Sequence, residues 1–270
     1  MSTVKPEYPD CLSVVMPVYN EEASLAEVVR KLLTLPHLLE VIIVDDCSTD
    51  RSVEIARSLG ESDRRVRVAQ QKKNAGKTAA LKLGFSLTQG DIVIVQDADL
   101  EYDPDEIPLV IKPILEGHAD VVYGSRFLVR KATRVLYFYH YVANKCLTFT
   151  SNLFTNLNMT DIETGYKAFR GDIIRNMVIV SSGFGFEVEA TAKVAKLGCA
   201  IYEVPISYYG RTYQEGKKIG VKDGVLALWL IFRFNLFSSL SSAYRELPEQ
   251  RVQNSTFRLP SEGSSREEAS

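Results

Sequence analysis

The residues DIVIVQDADLE, Asp91 to Glu101, decide the fold. Four consecutive β-branched residues, Ile92 to Val95, read as a strand buried on both faces, because a strand with one wet face would alternate apolar and polar positions. The run then switches to Asp97-Ala98-Asp99. Polar residues directly after such a strand mark a parallel sheet whose ligands lie outside its carboxyl ends. The same pattern repeats around it. Strands are predicted at Leu12–Tyr19, Glu40–Asp46, Val66–Gln71, Asp91–Asp97 and Asp120–Ser125. Helical patterns lie between them at Glu22–Leu35, Ser52–Leu59, Lys77–Leu87 and Asp105–Glu116, the last opening after Pro104 with Asp103 or Asp105 as its cap. Repeated βα units of this kind predict an α/β protein with a Rossmann-like, mostly parallel sheet flanked by helices.

The second half changes character. Tyr137 to Phe154 reads as one aromatic-rich helix, Phe184 to Leu197 as another, and Ala200–Tyr208 as a strand. The apolar segment Val225–Phe237 predicts a C-terminal amphipathic helix; it is too short to span a bilayer and carries Arg233. From residue 247 the chain is polar and rich in Ser, Glu and Arg, as a disordered tail is. The reading is one domain over residues 11–246, after a 1–10 extension with no apolar signal core and before a 247–270 tail.

With 270 residues, 46% hydrophobic and 24% charged, the chain can bury a full core, which excludes a collagen-like or mostly disordered protein. Its 32 basic and 34 acidic residues leave a net charge of -2, so no nucleic-acid partner is expected. Cys11, Cys47, Cys146 and Cys199 form no CxxC pair, which fits neither zinc nor a disulfide framework and suits a reducing, cytoplasmic setting.

The strand ends collect polar residues: Pro17-Val18-Tyr19-Asn20-Glu21, then Asp45-Asp46-Cys47-Ser48-Thr49-Asp50, then Asp97-Ala98-Asp99, then Gly124-Ser125-Arg126. Asp97 and Asp99 repel each other, and a divalent cation is a natural compensation; Glu101 continues the series as a further oxygen ligand. The plainer reading is that these acids cap the next helix, and a lone DxD is common. Asp45, Asp46, Ser48, Thr49 and Asp50 carry the same alternative, although capping uses only one or two of them.

Taken in order, these stretches resemble a family 2 glycosyltransferase of the GT-A fold. Gly124-Ser125-Arg126, Thr160-Asp161, Thr164-Gly165-Tyr166-Lys167 and Pro205–Lys218 narrow the resemblance to the polyprenol-phosphate sugar transferases, the branch with dolichol-phosphate mannosyltransferase, over about Leu12 to Leu236. The resemblance implies that Pro17, Tyr19, Glu21, Asp45 and Asp46 hold a nucleotide, with Lys77 and Ala98 in the same nucleotide-sugar site. It implies Asp97 and Asp99 at the metal and diphosphate, with Mg2+ or Mn2+ as cofactor, and Arg126 and Arg211 on phosphate groups. Glu101 stands where dolichol mannosyltransferases usually carry Gln. Asn74-Ala75-Gly76-Lys77 is closer to glucosyltransferase-like relatives, so the donor stays open between GDP-mannose and a UDP-glucose-like sugar.

The reaction implied is inverting transfer of a hexose from a nucleotide-diphosphate sugar to a polyprenyl monophosphate. A phosphate acceptor is already ionised near pH 7 and needs charge compensation rather than a strong base. Asp99, Arg126 and Arg211 are the expected catalytic groups. An alcohol acceptor would need a base, with Asp161 or Glu187 as candidates. His140 and Asn144 share a helix face and, with Arg126 and Lys217, are the expected acceptor-phosphate contacts; a structural role for His140 stands beside that reading. Arg211, Lys217, Lys218 and Lys222 precede Val225–Phe237, and a basic cluster beside an apolar helix suggests an element lying on the cytoplasmic face of an anionic membrane. Packing of that helix on the sheet is the alternative.

Other classes fit less well. Gly76-Lys77-Thr78 opens a helix as a phosphate loop would, but the first required glycine falls at Gln71. A nucleotidyltransferase would show a Gly-rich first turn with a lysine, which Pro17–Glu21 lacks. A non-catalytic descendant would have lost Asp97, Asp99, Arg126 and Arg211. A family 2 transferase with a glycan or soluble hydroxyl acceptor is the remaining alternative.

Overall fold

The computed structural model describes residues 9–128, 137–210 and 221–248. Along the chain run β1 (Leu12–Val18), α1 (Leu25–Leu32), β2 (Leu38–Asp45), α2 (Ser52–Ser62), β3 (Val66–Gln70), α3 (Lys77–Leu87), β4 (Ile92–Val95), a 3-10 turn (Pro104–Glu106), α4 (Ile107–Leu115), β5 (Val121–Ser125) and α5 (Phe138–Thr155). They continue as β6 (Lys167–Arg170), α6 (Gly171–Asn176), α7 (Phe186–Leu197), β7 (Ile201–Pro205), α8 (Val221–Leu236) and α9 (Leu240–Ala243).

The strands form one sheet in the order β3-β2-β1-β4-β6-β5-β7. All neighbours are parallel except β6, which runs antiparallel to both β4 and β5. The helices cover both faces, and strand alternation divides the core accordingly. Leu12, Val14, Met16 and Val18 of β1 point toward α1 and α4, where Val28, Leu32, Val110 and Ile111 meet them. Val15, with Val93, Val95 and Tyr123, points to the other face, against Leu81, Phe85, Phe186, Val194 and Ile231. Burial on both faces explains the unbroken apolar runs. Helix α3 lies unusually close to the sheet at Gly84, where a methyl group would come within 2.3 Å of a Val15 methyl.

The expected α/β architecture is present, with corrections at element ends. The helix predicted at Glu22–Leu35 is confined to Leu25–Leu32. The amides of Glu21 and Glu22 donate instead to Ser52 Oγ and Asp50 Oδ2 across the next loop, and Pro36 follows the far end. The helix predicted at Asp105–Glu116 opens with the 3-10 turn, and Asp103 is its cap, accepting from the Asp105 amide at 3.3 Å. The strand predicted at Ala200–Tyr208 is an edge strand that ends at Pro205. Strand β6 was not anticipated. All four cysteines are free, as their spacing implied. Residues 1–8 of the expected extension and 249–270 of the expected tail lie outside the described residues, as do Arg211, Lys217 and Lys218, and the Lys222 side chain.

Candidate active site

The carboxyl ends of β1, β2 and β4 bring the predicted polar stretches together. After Pro17 and Val18, the chain turns at Asn20, whose φ is +55°. The Asn20 amide donates to Ser48 Oγ, and the Thr49 amide donates back to Asn20 Oδ1 at 2.8 Å. The loops after β1 and β2 therefore form one surface, with Tyr19 and Glu21 on it.

Asp45 is fully buried at the end of β2. Its Oδ2 accepts from the Ser48 amide and from Gln70 Nε2, both at 3.2 Å, while Oδ1 has no hydrogen-bond partner among the described residues. Asp46 works differently. Its two oxygens accept from the Ala75 and Gly76 amides at 2.8 and 2.7 Å, which fixes the turn into α3. Neither carboxylate caps α2; of the residues expected to, Asp50 accepts from the first amide of that helix, Ser52, at 2.9 Å.

The turn at Gly76 delivers Lys77 to the acidic stretch after β4. The Lys77 ammonium lies 2.8 Å from Asp97 Oδ1 and 3.5 Å from Glu187 Oε1. Burial works against its charge, but Asp97 and Glu187 outweigh that and hold its pKa above the ordinary lysine value. Ala98 is fixed through its carbonyl, which accepts from Ser24 Oγ. Asp99 Oδ1 accepts from the Glu101 amide at 3.2 Å. Glu101 is tied down from outside the turn: Tyr208 Oη donates to Oε2 at 2.9 Å, and the Tyr209 amide donates to its carbonyl. Among the described residues, no three His, Cys, Asp or Glu side chains gather as a metal cage.

The 164–167 motif lies directly under Asp97. Gly165 donates its amide to Tyr102 Oη, and a methyl there would come within 2.7 Å of Asp97 Oδ2. Tyr166 stacks on Tyr102 with ring centres 4.9 Å apart, and its hydroxyl donates to Gln96 Oε1. Lys167 is fully buried, its ammonium donating to the Ile162 and Thr164 carbonyls. Burial lowers its pKa to about 8, against the opposing pull of Glu187 and Glu163.

At the end of β5, Arg126 forms a bidentate pair with Asp161, Nε to Oδ2 at 2.7 Å and Nη2 to Oδ1 at 2.8 Å. Burial opposes both charges, yet each holds the other ionised: Arg126 lies above its usual pKa and Asp161 below. The Arg126 guanidinium also lies over the Phe127 and Tyr208 rings. His140 and Asn144 are half-buried on α5, while Tyr139 beside them is exposed. The sequence reading missed Lys145, which donates to the Thr160 carbonyl and sits 4.2 Å above the Phe127 ring. It also missed Glu163, which falls between the two stretches it quoted, Thr160-Asp161 and Thr164-Gly165-Tyr166-Lys167. Burial, and then the Glu187 charge, raise the Glu163 pKa to about 7. An acid between Asp161 and Gly165 was the available signal.

Beyond this end, α5 and α8 pack side by side, with Phe154 edge-on to Phe232 at 5.0 Å. They expose Phe149, Leu153, Val225, Trp229 and Leu236. Among the described residues, no helix is long and apolar enough to cross a membrane.

The family model described as Glycosyl transferase family 2 matches residues 13–178. The undecaprenyl-phosphate mannosyltransferase of Micrococcus luteus is 32% identical over 221 residues, covering 76% of this chain and 86% of that protein. The undecaprenyl-phosphate 4-deoxy-4-formamido-L-arabinose transferase of Pseudomonas aeruginosa is 43% identical over 128 residues, 46% of this chain and only 38% of that longer protein. Among solved structures, glucosyl-3-phosphoglycerate synthase of Mycobacterium tuberculosis, crystallised with Mn2+, UDP and phosphoglyceric acid, superposes with a TM-score of 0.63. The match covers 83% of this chain and 78% of that one at 21% identity, and it is a likeness of fold.

Proposed function

We infer the reaction from one premise: the chain belongs to glycosyl transferase family 2 and has the GT-A fold of a glycosyltransferase. We propose that it moves a hexose from a nucleotide-diphosphate sugar to a polyprenyl monophosphate, with inversion at the anomeric carbon. The relatives named for undecaprenyl phosphate support that acceptor. The observation that carries the reading is the placing of two cations, Arg126 and Lys145, around the Phe127 ring, next to a helix that exposes aromatic residues. A phosphate on an apolar chain needs that combination of charge and greasy surface.

The nucleotide is proposed to lie across the joined loops after β1 and β2, on Pro17, Tyr19 and Glu21. The unpartnered Asp45 Oδ1 is an acceptor for its base. Asp46 acts through the backbone, by holding the turn that aims Lys77. Asp97 and Asp99 offer hard carboxylate oxygens, the donor set that Mg2+ and Mn2+ prefer. A divalent ion bound there would neutralise charge developing on the departing nucleoside diphosphate. Lys77 already balances Asp97 and adds positive charge on the same side. Arg211 is assigned to the diphosphate by resemblance alone. His140 and Asn144 lie on the turn of α5 whose Tyr141 and Lys145 touch the Phe127 ring, and they are proposed to steer the acceptor phosphate.

The run from Tyr137 to Thr160 contains no Asp or Glu, and neither does Gly224–Tyr244. The apolar face formed by α5 and α8, whose one acid is Asp223 in the first turn of α8, suits peripheral contact with an anionic membrane, proposed to be its cytoplasmic face.

The test is incubation with Mn2+ or Mg2+, radiolabelled nucleotide sugars and short polyprenyl phosphates. Label entering the organic phase supports the proposal. Label appearing only on soluble hydroxyl acceptors overturns it.

A further inference from the structure

Behind the Lys77–Asp97 pair, two carboxylates have oxygens with no donor. Glu187, near the start of α7, has a side chain only 8% exposed. Its Oε1 faces Lys77, and its Oε2 is buried without a hydrogen-bond partner among the described residues. Glu163 Oε1 is buried in the same condition. The two charges feel each other and share Lys167 as a neighbour. A buried carboxylate oxygen without a donor is unfavourable, so its presence at the edge of a site points to a donor that arrives with the ligand.

The chemistry narrows that ligand. A carboxyl group keeps accepting capacity on its oxygens whether or not it carries a proton, so the ligand that satisfies both brings O–H or N–H groups. The charge balance narrows it further. Lys77 is taken by Asp97 and Glu187, Arg126 by Asp161, and Lys167 lies among Glu187, Glu163 and Asp161. None of these three cations is left over for a further anionic group.

We propose that Glu187 and Glu163 form the recognition edge for the transferred sugar, accepting hydrogen bonds from its hydroxyl groups and selecting a neutral hexose over a hexuronate. The inference rests on the donor being a nucleotide sugar held at Asp97 and Asp99, since the group next to such a diphosphate is the sugar itself. It gives Glu187 a role that needs no proton transfer.

Isothermal titration with Mn2+ tests this without turnover. UDP-glucose, UDP-galactose, GDP-mannose, UDP-glucuronate, UDP and GDP are titrated into the wild type, Glu187→Gln and Glu163→Gln. The neutral nucleotide sugar that binds best should lose roughly 10- to 100-fold in affinity in each variant, the scale of a hydrogen bond to a charged group. The bare nucleoside diphosphate should change by less than about 3-fold, within the scatter of remote substitutions. Wild type should bind UDP-glucuronate more weakly than UDP-glucose. If a variant fails to fold, deoxy analogues of the best sugar titrated into wild type replace it, and at least one should show the same loss.

Equal losses for sugar nucleotide and bare diphosphate would make Glu187 only a prop for Lys77 and overturn the proposal. So would unchanged sugar affinity, tighter binding of the glucuronate, or no sugar nucleotide binding better than its diphosphate. Turnover lost in Glu187→Gln with sugar affinity intact would instead mark a base for a hydroxyl acceptor, again against the proposal. Failure of the acceptor reading is separate: the expected binding pattern without label in lipid keeps the sugar edge and removes the polyprenyl phosphate.

Discussion

At the amino end of the sheet, Glu40 is buried and both of its oxygens have donors. Oε1 accepts from Ser13 Oγ and the Gln89 amide, both at 2.7 Å, and Oε2 from Arg67 at 2.5 Å. Asp120 is matched likewise by Arg170 and the Ala200 amide. At the carboxyl end, Asp45, Glu163 and Glu187 each keep one buried oxygen without a donor among the described residues. The two ends hold similar residues to different purposes. Where carboxylates hold strands and loops together, each oxygen is matched within the chain. Where a ligand is expected, the matching is left incomplete, as functional sites tolerate and structural networks do not.

Four substitutions test that contrast. Asp99→Ala should lower sugar transfer by roughly three orders of magnitude or more, the scale of removing a metal-linked charge, while leaving the melting temperature nearly unchanged. Initial rates beside a thermal melt decide it, and undiminished turnover would remove Asp99 from the chemistry. Gly165→Ala pushes a methyl against Asp97 and should cost on the order of 100-fold in turnover through misplacement of that carboxylate. Steady-state rates on folded protein check it; wild-type rates would mean that the position of Asp97 is not critical.

Glu40→Ala should do the opposite. It strands Ser13 and Gln89 donors and should lower unfolding free energy by about 2 kcal/mol, with activity per folded molecule preserved. Urea denaturation and active-site-normalised rates separate the two, and a catalytic defect would erase the distinction between the ends. The smallest effect concerns pH. The folded-state pKa of Glu163 lies near 7 against 4.5 for a free glutamate, so the folded state holds the proton more tightly. Stability contributed this way is complete below about 4.5 and is lost as pH rises toward 7. Glu163→Gln should flatten that slope by up to about 1.4 kcal/mol per pH unit. Parallel denaturation curves for both proteins between pH 5 and 8 measure it, and identical slopes would mean that the carboxyl is not perturbed.

Much of the site was readable before the fold. Asp45, Asp46, Asp97 and Asp99 announce themselves by following apolar runs, and a chain segment fixes such a position locally. Their roles were less readable. Asp46 holds backbone amides 29 and 30 residues away, and Glu101 accepts from a tyrosine 107 residues away. Arg126, expected on a phosphate, is also the partner of Asp161, 35 residues on. No spacing rule couples such distant residues.

The sequence by itself determined the alternation of buried strands and amphipathic helices, the family, and the end of the sheet that carries chemistry. Hydrophobic periodicity and strand-end polarity are local properties, carried within a few residues. Tertiary structure alone decided the antiparallel insertion of β6, a four-residue strand too short to show a period and directed by where the chain returns between β4 and β5. It also decided which carboxylates meet a cation and which keep an oxygen open. That outcome depends on side chains from separate elements arriving at one point, and only the packed sheet and helices set their distances.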